Sequence, residues 1–162
     1  MKATGIVRRI DELGRVVIPK EIRRTQRIRR GDPLEIFTTG DGEVIFKKYS
    51  PIGELQGVAT QYAEVLSKCF ALTAFVADRS ISQPLEKLME SRKPYLRQDA
   101  EQTVLPCEGS PRVLLCAFPI IAAGDVAGAV GLLTEDRSAK PDASQQKAVA
   151  VAAAFLAKQM EE

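Results

Sequence analysis

The sequence predicts a two-domain α+β protein, a small basic β domain over residues 1–50 followed by a larger α/β domain over residues 51–162. Three observations predict it. The formal net charge of +2 hides an asymmetry: residues 1–50 carry 12 Lys/Arg against 7 Asp/Glu, and the remainder carries 11 against 14. The patterning changes at the same place, from short β-branched runs broken by Gly and Asp to long helical stripes alternating with apolar strands. A chain of 162 residues also has room for one medium or two small domains. A basic head on a slightly acidic body points to a partner that only the head touches.

In the head, Ile6, Val7 and Ile10 precede Leu13-Gly14, and Val16-Val17-Ile18 follows it, which reads as strand, turn, strand. Gly14 can take the positive φ that a tight reversal needs. Pro19, with its fixed φ, suits the opening of a short basic helix. Gly31-Asp32-Pro33 makes a turn into the strand Leu34–Phe37, and Thr38–Glu43 connects that strand to its return, Val44–Tyr49. Four short strands and one short helix bury too little apolar surface to stand alone, and a second copy would complete the core. Nine basic residues (Arg8, Arg9, Arg15, Lys20, Arg23, Arg24, Arg27, Arg29 and Arg30) fall within residues 8–30, opposed by Asp11, Glu12 and Glu21. A single arginine usually belongs to a solvated face. Guanidinium groups fork onto phosphates and guanine edges, and at this density on a β scaffold they mark a nucleic-acid surface.

Ser50 can cap a helix over Pro51–Phe70, with Pro51 and Glu54 suited to its first turn. Ile52, Leu55, Ala59, Tyr62, Leu66 and Cys69 fall at heptad spacing, widened by Val58 and Val65. Such a stripe can serve a dimer partner, the domain's own core, or both. Leu72–Ala77 reads as an apolar strand, and Ser80 can cap a helix over Ile81–Arg92 with Leu85, Leu88 and Met89 inward. Val113–Ile121 is a buried strand, Ala123-Gly124-Asp125 a turn, and Val126–Thr134 its antiparallel mate. Asp142–Met160 is an alanine-rich closing helix.

Thr4–Arg8 followed by Asp11-Glu12-Leu13-Gly14-Arg15-Val16-Val17-Ile18-Pro19 closely resembles the AbrB family of bacterial transition-state regulators. The strand Val113–Ile121 with its Pro119-Ile120, the Gly124-Asp125 turn and Val126-Ala127-Gly128-Ala129-Val130-Gly131-Leu132 resembles the central hairpin of GAF and PAS-like sensors. The whole chain is thus similar to sporulation regulators that join an AbrB-like head to a GAF-like tail. The resemblance implies a swapped-hairpin β head, dimeric through interleaved strands, and a GAF-like domain whose first and last helices bundle with a second chain to give a tetramer. It implies double-stranded DNA as partner, with Arg8 and Arg15 near loops that meet the groove and Arg23 and Arg24 beside the backbone. Arg9, Lys2, Lys20, Arg27, Arg29 and Arg30 are weaker candidates. It also implies an unidentified small-molecule effector in the tail, for which Arg97, Gln98, Asp99 and Glu101 are the polar candidates. GAF-like domains usually carry a further strand and short helix after the first strand. Here Asp78-Arg79 runs directly toward the next helix, so either the pocket is reduced or that segment is absent from this sequence.

The absence of histidine excludes Ser-His and Cys-His nucleophile pairs and histidine metal sites. Cys69, Cys107 and Cys116 have no C-x-x-C spacing and suit a reduced cytosol. Cys107 and Cys116 admit a reductase reading, which the apolar run around Cys116 opposes. No P-loop is present. The expectation is a non-enzyme without cofactor or metal. The expected location is the cytoplasm, with no signal peptide and no membrane association. An antitoxin that uses the same kind of head to bind a toxin is the competing reading.

Overall fold

The computed structural model describes residues 4–78, 83–99 and 103–161, and the chain divides into two compact units, Met1–Tyr49 and Ser50–Glu162. In the first unit, helix α1 (Lys20–Thr25) is followed by strands β1 (Leu34–Thr38) and β2 (Val44–Lys48). β1 and β2 pair antiparallel, with Leu34 opposite Lys48 and Thr38 opposite Val44. Thr39 closes the connection by accepting from Gly42 N at 3.1 Å.

The expected strand pair before Pro19 is not formed. Residues 4–18 make a turn at Glu12–Gly14 but no ladder, so among the described residues the head has two strands where the sequence predicts four. The physical reason lies in the partners these residues lack within one chain. Val7 and Val17 are 85% and 70% exposed, and Ile10 and Leu13 are exposed with them. β-Branched segments with no neighbour to pair have nothing to hold them in register.

The second unit is a four-stranded antiparallel sheet with helices on both faces. The predicted Pro51–Phe70 helix is broken in two, α2 (Pro51–Glu54) and α3 (Gln56–Phe70), with Leu55 at φ −95° and ψ 16° between them. Gly53 and Gly57 flank the break and weaken helical propensity on both sides. β3 (Thr73–Asp78), α4 (Gln83–Glu90), β4 (Tyr95–Leu96), β5 (Val113–Ala122), β6 (Asp125–Thr134) and α5 (Ala143–Gln159) follow. The strand order is β3-β6-β5-β4. The expected helix over Ile81–Arg92 is described from Gln83 to Glu90, and its expected cap Ser80 lies outside the described residues.

α2, α3 and α5 cover one face of the sheet, where Ile52, Ala59, Leu66, Val149, Ala152 and Leu156 meet Leu115, Ile120, Val130 and Leu132. α4 covers the other, with Leu85 and Met89 on Ala77, Leu114, Ala117, Ala129 and Leu133. Central strands buried on both faces read as continuous apolar runs, which is why Val113–Ala117 is buried throughout. Part of the heptad stripe goes into the domain's own core, through Ile52, Ala59 and Leu66, while Val65 and Cys69 remain exposed. The Tyr62 and Phe155 rings, centroids 5.1 Å apart, hold α3 against α5.

Two local devices place the helices. Asp142 and Gln145 form a reciprocal capping box at the start of α5, with Asp142 Oδ1 accepting from Gln145 N at 2.8 Å and Gln145 Oε1 from Asp142 N at 2.9 Å. Ser50 Oγ accepts from Gly53 N at 3.1 Å and its hydroxyl donates to Asp78 Oδ2, tying the start of α2 to the end of β3. Ile52 then lies in a notch above Gly128, where an added Cβ would come within 2.1 Å of Ile52 Cδ1 and 2.2 Å of Ala77 O.

Candidate nucleic-acid interface

The exposed tip of the head is built by one carboxylate. Asp11 Oδ1 accepts from Leu13 N at 3.0 Å and Arg15 N at 2.8 Å, an Asx turn closed by Asp11 N to Arg15 O at 3.0 Å. Gly14, at φ 75°, supplies the left-handed residue that lets the chain reverse. Asp11 Oδ2 accepts from Arg15 Nε at 2.8 Å, which aims the guanidinium outward while its side chain stays 71% exposed. The backbone and side-chain bonds from Arg15 hold the Asp11 carboxyl below its usual range. Arg8 is exposed, its Nη1 donating to Val7 O at 3.3 Å, and Arg9 is exposed beside it.

The second basic element is α1. Pro19 is buried at its N-cap position, Glu21 stands in the first turn, and Arg23 and Arg24 stand in the last turn, where the helix dipole favours cations. Arg24 and Lys20 are exposed and Arg23 is half-buried. The helix ends with Ile28 N donating to Arg23 O at 2.7 Å and Arg27 N to Arg24 O at 3.2 Å. Beyond it, Asp32 Oδ2 accepts from Arg29 N at 2.7 Å and pairs with Lys48 Nζ at 3.4 Å, while Lys47 Nζ lies 4.7 Å from the Phe37 ring centroid. These contacts give both lysines of β2 intramolecular partners. Lys2 lies outside the described residues.

Among the described residues the polar candidates of the tail do not converge on one site. Arg97 is buried and donates to the Asp136 and Arg137 carbonyls, the first at 3.3 Å, pinning the segment between β6 and α5. Gln98 and Asp99 are exposed, and Glu101 lies outside the described residues. The cavity between α4 and the sheet, lined by Leu85, Met89, Tyr95, Phe118 and Pro119 among others, holds about 10 Å³. That is room for about one water. Among the described residues no cluster of His, Cys, Asp and Glu could hold a metal, and no helix is long and apolar enough to cross a membrane. Burial pushes the Cys116 thiol up to about 11, leaving it protonated and unreactive.

Asp11, in the sequence a member of the AbrB-like motif and a charge opposing the arginines, is the residue that builds the tip. The signal was present: an Asp opening Asp11-Glu12-Leu13-Gly14 is the residue type that builds an Asx turn.

Residues 76–161 match the family described as "Stage V sporulation protein T C-terminal, transcription factor". Residues 7–54 match "Antidote-toxin recognition MazE, bacterial antitoxin". The chain is 47% identical to stage V sporulation protein T of Bacillus subtilis (strain 168), over the whole of both chains. That alignment spans 181 positions, so the relative carries residues with no counterpart in these 162. The head is 61% identical over 51 residues to the transition state regulatory protein AbrB of the same organism, covering 32% of this chain and 52% of that one. It is also similar to the solution structure of the N-terminal DNA recognition domain of AbrB, at 61% identity and a TM-score of 0.28, covering 32% of this chain and 94% of that one.

Proposed function

The chain belongs to the stage V sporulation protein T family, and from that premise we propose that it is a DNA-binding transcription regulator acting in sporulation. The observation that carries this reading is the basic surface of the head, where Asp11 aims Arg15 outward from a turn and the dipole of α1 supports Arg23 and Arg24. Arg15 uses only Nε on Asp11, which leaves both Nη groups for a bidentate contact with phosphate or a guanine edge. Arg8, Arg9, Lys2 and Lys20 add charge that draws the duplex in and makes binding salt-dependent. The 61% identity of the head to the transition state regulatory protein AbrB supports the reading.

The reading includes a homo-oligomer. Val7, Ile10 and Val17 are exposed along extended segments, and pairing them with the same segments of a second chain would complete a β core and bring two Arg15 tips onto one duplex. In the tail, Val65, Val151 and Phe155 leave an apolar face on α3 and α5 for another copy, which would join two head dimers into a tetramer. The effector role belongs here as well. A ligand bound between α4 and the sheet would be transmitted as movement of α4.

A second reading, capture of a toxin by an antitoxin-type head, is favoured by the antitoxin family matched over residues 7–54. The two separate cleanly. Selection from a random duplex library should enrich a sequence set with the wild-type chain and none with Arg8, Arg15, Arg23 and Arg24 all changed to Ala. No enrichment by a wild-type chain that sedimentation shows to be folded and oligomeric would refute the DNA reading and favour the toxin partner.

A further inference from the structure

Among the described residues four non-glycines take positive φ: Arg27 at 52°, Ala71 at 51°, Arg92 at 55° and Ala123 at 48°. Ala71 and Ala123 bring only a methyl group into this conformation, at the end of α3 and in the turn between β5 and β6. Arg92 uses its side chain within the fold, since its guanidinium donates to Gly124 O. Arg27 is different.

It is the residue just past the C-cap of α1. The bonds Arg27 N to Arg24 O and Ile28 N to Arg23 O are the paired bonds of a Schellman ending, whose left-handed residue is usually glycine. A side chain there meets the steric penalty of the left-handed region. The Arg27 side chain is exposed, and among the described residues its guanidinium has no hydrogen-bond or ion-pair partner. What the arginine adds over glycine is therefore an unengaged cation, one backbone hydrogen bond from Arg24 and on the same helix end as Arg23.

We propose that Arg27 binds a DNA phosphate, so that the contact surface continues from the last turn of α1 into its left-handed ending. This rests on the DNA-binding reading above. A phosphate is the fitting partner because the neighbouring cations concentrate anions at this helix end, and an exposed guanidinium on a turn matches the backbone without needing a particular base.

The test measures two quantities on the full chain. Arg27→Gly removes the steric penalty and the charge together, so its thermal midpoint should equal or exceed that of the wild type. Its affinity for a random-sequence labelled duplex should nevertheless fall several-fold. The slope of log K against log salt should flatten by about 0.9, the value of one phosphate contact on B-DNA. Arg27→Lys keeps the charge in the same conformation and should keep the slope, which decides the matter if the glycine variant proves less stable. The proposal is overturned if Arg27→Gly binds with wild-type affinity and slope while Arg15→Ala weakens binding. If Arg15→Ala also binds as wild type, the DNA reading falls and this proposal falls with it.

Discussion

At the tip of the head the Asp11 carboxylate accepts two backbone N–H groups and the Arg15 Nε. An acid beside an arginine proposed to contact DNA ought to weaken binding by neutralising it. The geometry says the reverse, because the acid holds both the turn and the outward pose of the guanidinium. Asp11→Ala should therefore lower DNA affinity several-fold although it raises the formal net charge from +2 to +3, measured by anisotropy at fixed salt. Tighter binding would show that charge alone governs the tip. The same carboxyl is held below its usual range, so its contribution to the turn is present above ordinary carboxylate pH and lost as the pH falls through its lowered value.

Cys116 is the opposite case. Its thiol rises from 9.0 to about 11 by burial, so the folded state holds the proton more tightly than the unfolded chain. Stability is fully present below about pH 9 and declines as the pH rises toward about 11. The loss should be about 2–3 kcal/mol. Urea unfolding at the two ends of that window should show the fall in wild type and a smaller one in Cys116→Ala. In the native protein a thiol reagent should label the exposed Cys69 and Cys107 and leave Cys116 untouched.

At the scale of elements, packing notches and caps decide more than propensity does. Gly128 sits where Ile52 Cδ1 and the Ala77 carbonyl would meet any Cβ, and a backbone oxygen cannot swing away as a side chain can. Gly128→Ala should destabilise the tail by about 1–3 kcal/mol, the cost of overpacking, and should loosen α2 first. Removing the capping box with Asp142→Ala should cost about 1 kcal/mol, read as a lower denaturant midpoint with an unchanged slope. The sheet strands and α5 were legible because their apolar runs and turn residues are local signals. The break at Leu55 was not, since heptad spacing continues across it and only the backbone shows that Ile52 turns into the notch over Gly128. The two-residue β4 gave no periodic signal at all. The role of Arg97 in pinning the loop after β6 depends on carbonyls about forty residues away in sequence, beyond the reach of any local pattern.

For the whole molecule, the mixed α+β content and the AbrB-like character of the head could be read from residue types and the motif around Gly14. The expected strands before Pro19 are not formed within the single chain, where those residues find no ladder partner. That is the physical content of the oligomer proposal: β-branched residues left at 70% and 85% exposure define a surface that one copy does not cover. The charge asymmetry fits the proposed function, a basic unit suited to a duplex and a slightly acidic one that is not. The most direct test of this account is a salt series of duplex binding, comparing the wild type with Arg15→Ala and Arg23→Ala at matched oligomeric state. The account predicts a steep negative slope of log K against log salt in the wild type, flattened by about 0.9 for each phosphate contact removed. A shallow slope, or one that neither substitution changes, would contradict it.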